Sequence, residues 1–279
     1  MARRSTRRRS DRIDDEGRAK RRLGVALVVL VALVLLAVMV IFVSYKAGEP
    51  ELREEDFCPI SGPVSVTAVL IDGTDVLSAV QQASVQLELE SVRTHVPQYA
   101  RLEVYSIGST DERLITPEFR KCNPLGPAGE QDKWTGNRKF AAAKWNQVFG
   151  APLQAVFDRM IPGSEDSSSP IMQSIQSVAL TAFGRITDPT IEHNLIIVSD
   201  MLEHSEASSH YKGVPDFEEF RSSPAYAKVR AELDGVMVTI LYVRRDTGNN
   251  VQGAEHIAFW QRYFADQGAV LASVNRVEG

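Results

Sequence analysis

The sequence predicts an α/β protein with a doubly wound, mostly parallel sheet, preceded by one transmembrane helix. Three observations carry this. Val64 to Asp75 (VSVTAVLIDGTD) is an apolar, β-branched run that stops at an acid. That is the pattern of a buried parallel strand delivering a carboxylate to the carboxyl edge of a sheet. His193 to Glu203 (HNLIIVSDMLE) has the same form, an apolar strand followed by Ser199 and Asp200. Strand-like and helix-like segments then alternate along the chain, as βαβ units do. Ligands of open α/β sheets bind at the carboxyl edge, so Asp72 and Asp200 are candidates for the floor of one site.

The membrane helix comes first in the chain. Arg3, Arg4, Arg7, Arg8, Arg9, Arg12, Arg18, Lys20, Arg21 and Arg22 crowd the start, and Leu23 to Tyr45 then carries no charge. A bilayer-crossing helix needs about 20 apolar residues. A cleaved signal peptide has a shorter apolar core and an A-x-A-like site, neither of which is present here. The arginines mark the cytoplasmic side, which puts Lys46 onwards across the membrane. The expected organisation is a basic tail over residues 1–22, a transmembrane helix over 23–45, a linker over 46–62 and one domain over 63–279. With 44% hydrophobic and 24% charged residues the 279-residue chain is a folded protein. Its net charge of −5, despite the basic tail, leaves the main domain acidic and argues against nucleic acid as partner.

The linker holds Cys58, and the only other cysteine is Cys122. An oxidising compartment favours their pairing; the alternative is two free thiols. Beyond Asp72 a helix is expected, capped by Asp75, with Val76, Val80, Ala83, Leu87 and Val92 as its apolar face. Arg101 to Ile107 alternates as a second strand. Ser109 to Asn137, rich in Pro and Gly, reads as a long irregular loop. Arg138 to Met160 is helical. Gly163 to Ser169 is a polar loop, and Pro170 opens a helix from Ile171 to about Phe183. Asp188 and Pro189 turn the chain into the Leu195–Val198 strand. Glu203 to Pro224 reads as a polar, solvated segment that includes His204 and His210. A helix over Ala225 to Leu233, a strand over Val236 to Val243, a helix over Gln252 to Gln267 and a strand over Ala269 to Val274 complete the chain. Phe259, Trp260, Tyr263 and Phe264 would pack the last helix on the sheet.

Three segments together resemble a von Willebrand factor type A domain over about Val64 to Val274. They are Asp72-Gly73-Thr74-Asp75 after the first strand, Ser169-Pro170 leading a helix, and Ser199-Asp200 after a later strand. The resemblance implies a metal-ion-dependent adhesion site that binds Mg2+ through Asp72, Thr74, Ser169 and Asp200. The family's first motif is D-x-S-x-S. Thr74 fills its first hydroxyl position, but Val76 stands at the second and cannot ligate a metal. The other reading of the same residues is a degenerate site whose acids cap helices and bind nothing.

Competing chemistries are poorly served. The D-x-D-G-T motif of haloacid dehalogenases would need an acid where Leu70 stands. Ser199 has no G-x-S-x-G elbow, and His193, His204, His210 and His256 lack H-E-x-x-H spacing. No Walker A or dinucleotide glycine motif is present. The expected function is a single-pass protein-binding module, not an enzyme, in the inner membrane of a bacterium. Its N-terminus would be cytoplasmic and its domain periplasmic, within a cell-envelope complex. The partner would be a protein meeting the carboxyl-edge face, in one version through a bound divalent cation. The alternative is a membrane-anchored metal-dependent hydrolase using Asp72 and Asp200 as ligands.

Overall fold

The computed structural model describes all residues except 1–4, 48, 75, 109–113, 127–137, 165–167, 185, 187, 246–250 and 279. The chain divides into two units, Met1–Glu51 and Leu52–Gly279. In the first, one helix, α1, spans Ser5–Ala47. Within its stretch Arg21–Ser44 the most apolar 18 residues have a mean hydropathy of 3.5, and the stretch is long and apolar enough to cross a membrane. Leucines and valines cover every side of that stretch and all are exposed, as a helix solvated by lipid requires.

The second unit is built on a six-stranded sheet. Its elements are β1 (Ser65–Asp72), α2 (Ala79–His95), β2 (Arg101–Ile107), β3 (Phe119–Cys122), α3 (Arg138–Trp145), α4 (Ala151–Met160), α5 (Ile171–Val178), β4 (Glu192–Ser199), α6 (Phe217–Arg221), α7 (Pro224–Val229), β5 (Met237–Val243), α8 (Ala254–Asp266) and β6 (Val270–Val277). The strand order is β3-β2-β1-β4-β5-β6. All neighbours are parallel except the edge strand β3, which runs antiparallel to β2. Alternate side chains of β1 feed two cores. Val66, Ala68 and Leu70 pack with Ile175 of α5 and Trp260 and Phe264 of α8. Val69 and Ile71 pack on the other face with Val85 and Leu89 of α2 and Phe149, Leu153 and Phe157. This is the doubly wound arrangement predicted above, and it explains why the central strands read as unbroken apolar runs.

Three local expectations change. Asp75 lies outside the described residues, and α2 is capped by Ser78. The Ser78 hydroxyl accepts from the Gln81 backbone N–H while the Gln81 side chain accepts from Ser78, a capping box. The buried face of α2 is Gln81, Val85 and Leu89, whereas Val76, Val80 and Leu87 are exposed. The helix therefore presents a stripe rotated from the one its valines suggest. Gln81 also donates through Nε2 to the Arg244 carbonyl at 2.6 Å, which ties α2 to the end of β5. Ser78→Ala should cost about 1 kcal/mol, read as a lower urea midpoint. An unchanged midpoint would mean that the box contributes nothing.

The segment expected to be one irregular loop, Ser109–Asn137, contains β3. β3 is only four residues long, and its sequence FRKC does not alternate between apolar and polar residues. Part of that segment, residues 109–113 and 127–137, lies outside the description. Cys122 at the end of β3 forms a disulfide with Cys58 across a sequence separation of 64 residues. The Cys122 N–H also donates to the Asp56 carbonyl at 2.8 Å. Glu203–Pro224 is a further correction. Glu203, His210, Phe217 and Phe220 in it are buried, because α6 and the turn before it fold under α8.

Candidate functional site at the carboxyl edge

Parallel pairing sets the site. β1 and β4 run in register, with Ile71 opposite Val198, so Asp72 and Ser199 emerge side by side at the carboxyl edge. β4 and β5 pair Ser199 with Tyr242, which brings the residues after Val243 to the same edge. Ser169 arrives from the turn ahead of α5, held by a two-way backbone bridge to His204 at 2.9 Å each way. The chain then turns at Met201, a buried residue with φ of 60°. Its carbonyl accepts from Trp260 Nε1 at 3.0 Å, a bond to the packed helix that offsets the cost of a left-handed residue.

Thr74 and Ser169 are hydrogen-bonded to Asp72, Asp200 follows Ser199 at the same edge, and Asp72, Thr74, Ser169 and Asp200 are all buried. Asp72 Oδ1 accepts from the Thr74 N–H at 3.1 Å and the Thr74 hydroxyl at 2.6 Å. Its Oδ2 accepts from the Ser199 hydroxyl at 2.7 Å and the Ser169 hydroxyl at 3.1 Å. Asp200 Oδ1 accepts from the Leu202 N–H at 2.8 Å. Its Oδ2 accepts from Arg245 Nε at 2.7 Å, an ion pair. Burial pushes the Asp200 carboxyl up to about 6, opposed by the Arg245 charge and reinforced by Asp72.

Arg245 is the member that sequence reading missed. Its backbone N–H donates to Gln252 Oε1 at 2.8 Å, and Gln252 Nε2 donates to the carbonyls of Asp200 at 3.0 Å and Val243 at 2.7 Å. Arg245 Nη1 reaches the Val76 carbonyl at 3.5 Å. The signal was present: Arg245 follows the apolar run of β5 just as Asp72 and Asp200 end β1 and β4. An arginine after a strand simply does not belong to the ligand pattern that directs attention to the acids.

Four oxygens of Asp72, Thr74, Ser169 and Asp200 have the hard-donor chemistry of a magnesium site, and near-octahedral ligation at 2.0–2.1 Å is what Mg2+ demands. The arrangement does not fit one. Both oxygens of Asp72 are occupied by hydroxyl or amide protons, and Asp200 already faces a cation. Two unit charges about 4 Å apart repel by about 4 kcal/mol at an effective dielectric of about 20, and a divalent ion beside the guanidinium doubles that.

A second polar cluster lies behind the site. His210 and His256 are both fully buried. The hydrogen bonds fit Tyr242 donating to His256 Nδ1 at 2.6 Å and His256 Nε2–H donating to the Met201 carbonyl at 3.0 Å. His210 Nδ1 lies 3.0 Å from His256 Nε2. Burial holds His210 down at about 3 and His256 at about 4, so both are neutral. Glu203, also fully buried, accepts from the Met172 N–H at the start of α5 at 2.9 Å, and burial raises it to about 7. These side chains are walled off and support the edge without facing it.

Strand order, the antiparallel β3 and the three converging loops agree with the family expected from the motifs. The fold is von Willebrand factor type A-like. No family profile matches the chain, and no curated protein matches it in sequence. Solved structures that resemble it include the conserved hypothetical protein BatB from Bacteroides thetaiotaomicron, at 14% identity over 77% of this chain and 91% of that one, with a TM-score of 0.35. The SpRpn10 VWA domain is 8% identical over 77% of this chain and 88% of that one, TM-score 0.37. Manganese-loaded TRAP protein from Plasmodium vivax is 10% identical over 72% of this chain and 62% of that one, TM-score 0.32. Likeness at this level carries no functional argument, and the metal in TRAP is a property of TRAP.

Proposed function

We propose that this chain is a membrane-anchored protein-binding module whose type A-like domain meets a protein partner with its carboxyl-edge face. The observation that carries this reading is the convergence of Asp72, Ser169, Ser199, Asp200 and Arg245 from four separate segments onto one edge, with Val76 54% exposed beside it. Fixed polar groups with an exposed valine beside them offer a partner both polar and apolar contacts. The charged groups are fixed by one another and by backbone, which suits recognition better than turnover. A hydrolase would need a general base within reach of substrate; of the nearby groups of raised or lowered proton affinity, Asp200 is buried and ion-paired with Arg245, and Glu203, His210 and His256 are buried in the core.

Two features support an exported location. The arginines before the apolar stretch of α1 orient it with the N-terminus in the cytoplasm. The Cys58–Cys122 bridge belongs to an oxidising compartment, as outside the inner membrane of a bacterium. A cell-envelope assembly is the setting these features suit.

The test is site-specific photo-crosslinking with the full chain in its own membrane. A photoreactive residue at Val76 should give a discrete adduct, at least about tenfold over one at Ile60, an exposed position near the amino edge of the sheet. Equal or absent labelling at the two positions would remove the carboxyl-edge face from consideration. Metal-dependent turnover of a generic ester or phosphoester by the purified chain would favour the hydrolase instead.

A further inference from the structure

We propose that Arg245 is a tethered cation standing in for a divalent metal, so that the carboxyl-edge face works without magnesium or manganese. The inference deepens the reading of that face and rests on it only for the site's purpose, not for its chemistry. The type A motif brings buried carboxylates together, and their mutual repulsion needs a positive charge. Here the charge is supplied from within the chain. Arg245 Nε sits 2.7 Å from Asp200 Oδ2, and Asp200 is almost wholly enclosed.

Delivery of the guanidinium is built into the fold. The backbone of β5's end is pinned from two directions by buried glutamines. Gln81 holds the Arg244 carbonyl at 2.6 Å, and Gln252 holds the Arg245 N–H at 2.8 Å while its other end grips the Asp200 and Val243 carbonyls. The backbone at Arg244 and Arg245 is therefore braced to the same backbone as the acid that the arginine neutralises. A surface ion pair formed by chance would have no such bracing.

The remaining donors have adjusted to the same arrangement. The Thr74, Ser169 and Ser199 hydroxyls give their protons to Asp72, which settles its second charge by hydrogen bonding. Val76, at the position where the resembled family has a hydroxyl residue, has no side-chain oxygen to offer and is half-exposed. A valine at one ligand position and an internal cation at the other acid have the same consequence for a metal.

The experiment is manganese binding followed by the electron paramagnetic resonance of the free ion, using the full chain in detergent and no partner. The wild type should show no saturable binding at millimolar Mn2+. Arg245→Met combined with Val76→Ser should bind Mn2+ saturably, at least about tenfold tighter than the wild-type limit, and Asp72→Ala should abolish that gain. Saturable wild-type binding that disappears in Asp72→Ala overturns the proposal. So does a folded Arg245→Met/Val76→Ser variant, checked by circular dichroism, that binds no more than the wild type. Should that pair fail to fold, Arg245→Gln/Val76→Ser is read in the same way. Arg245→Lys keeps the charge and should remain metal-free. Because no partner is present, failure of the crosslinking experiment leaves this result unaffected.

Discussion

Removing the Cys58–Cys122 bridge should lower the unfolding free energy by about 2–5 kcal/mol. Closing a loop with a sequence separation of 64 residues removes chain entropy from the unfolded state. In the chain-entropy treatment that separation corresponds to about 4 kcal/mol. The folded side of the balance is well prepared. Both cysteines are buried, the Cys58 N–H donates to Asp56 Oδ1 at 3.0 Å, and the Arg53–Asp56 pair at 2.8 Å closes the turn around them. The bridge fastens the segment entering β1 to the edge strand β3, which is short and has only β2 as a neighbour. Cys58→Ala/Cys122→Ala, compared with the parent in urea, should show the shift, with proteolysis of residues near Phe57 increasing in parallel. A midpoint within experimental scatter of the parent would mean that backbone pairing alone holds this edge.

Glu203→Gln should stabilise the protein above pH 7 by about 1–3 kcal/mol and uncover an acid sensitivity that the parent conceals. The signs are opposite for the two kinds of buried group. Glu203 is raised from 4.5 to about 7 by burial, so the folded state binds more protons between those values. Its contribution is present below the unfolded value and is lost as pH rises through about 7. His210 and His256 are lowered from 6.5 to about 3 and about 4, so the unfolded state binds more protons. Their contribution is full above 6.5 and is lost as pH falls, by about 2 kcal/mol each at pH 5. In the parent the two trends nearly cancel between pH 5 and 7, with Asp200 acting in the same sense as Glu203. Glutamine at 203 can still accept the Met172 N–H, but it no longer carries a charge to desolvate. The variant should then lose about 2–3 kcal/mol from pH 7 to pH 5 while the parent changes little. A parent curve as steep as the variant's would show that Glu203 is not the opposing group.

The sheet itself was legible because its strands obey simple physics. A central parallel strand is buried on both faces, so β1, β4 and β5 appear as apolar runs, and their ends appear as Asp72, Ser199-Asp200 and the residues after Val243. The membrane helix was legible for the same reason, since lipid demands an uninterrupted apolar stretch. Ser169 could be found because a polar loop ahead of a helix start is a local signal. β3 was not legible, since four residues at a sheet edge carry no periodicity of their own and depend on β2 for their shape.

What only the tertiary structure decided depends on distance across the chain. Whether Val80 and Leu87 or Val85 and Leu89 face the core follows from where α2 lands on the sheet, not from its composition. Glu203 and His210 are polar residues in a polar segment, and only the packing of α6 against α8 buries them. Arg245 meets Asp200 across 45 residues, and Gln252 and Gln81 hold it there from segments with no sequence relation to either. By itself the sequence determined which carboxylates reach the edge, because strand ends are local. Which cation answers them is a matter of long-range electrostatics, and that was decided when β5 took its place beside β4.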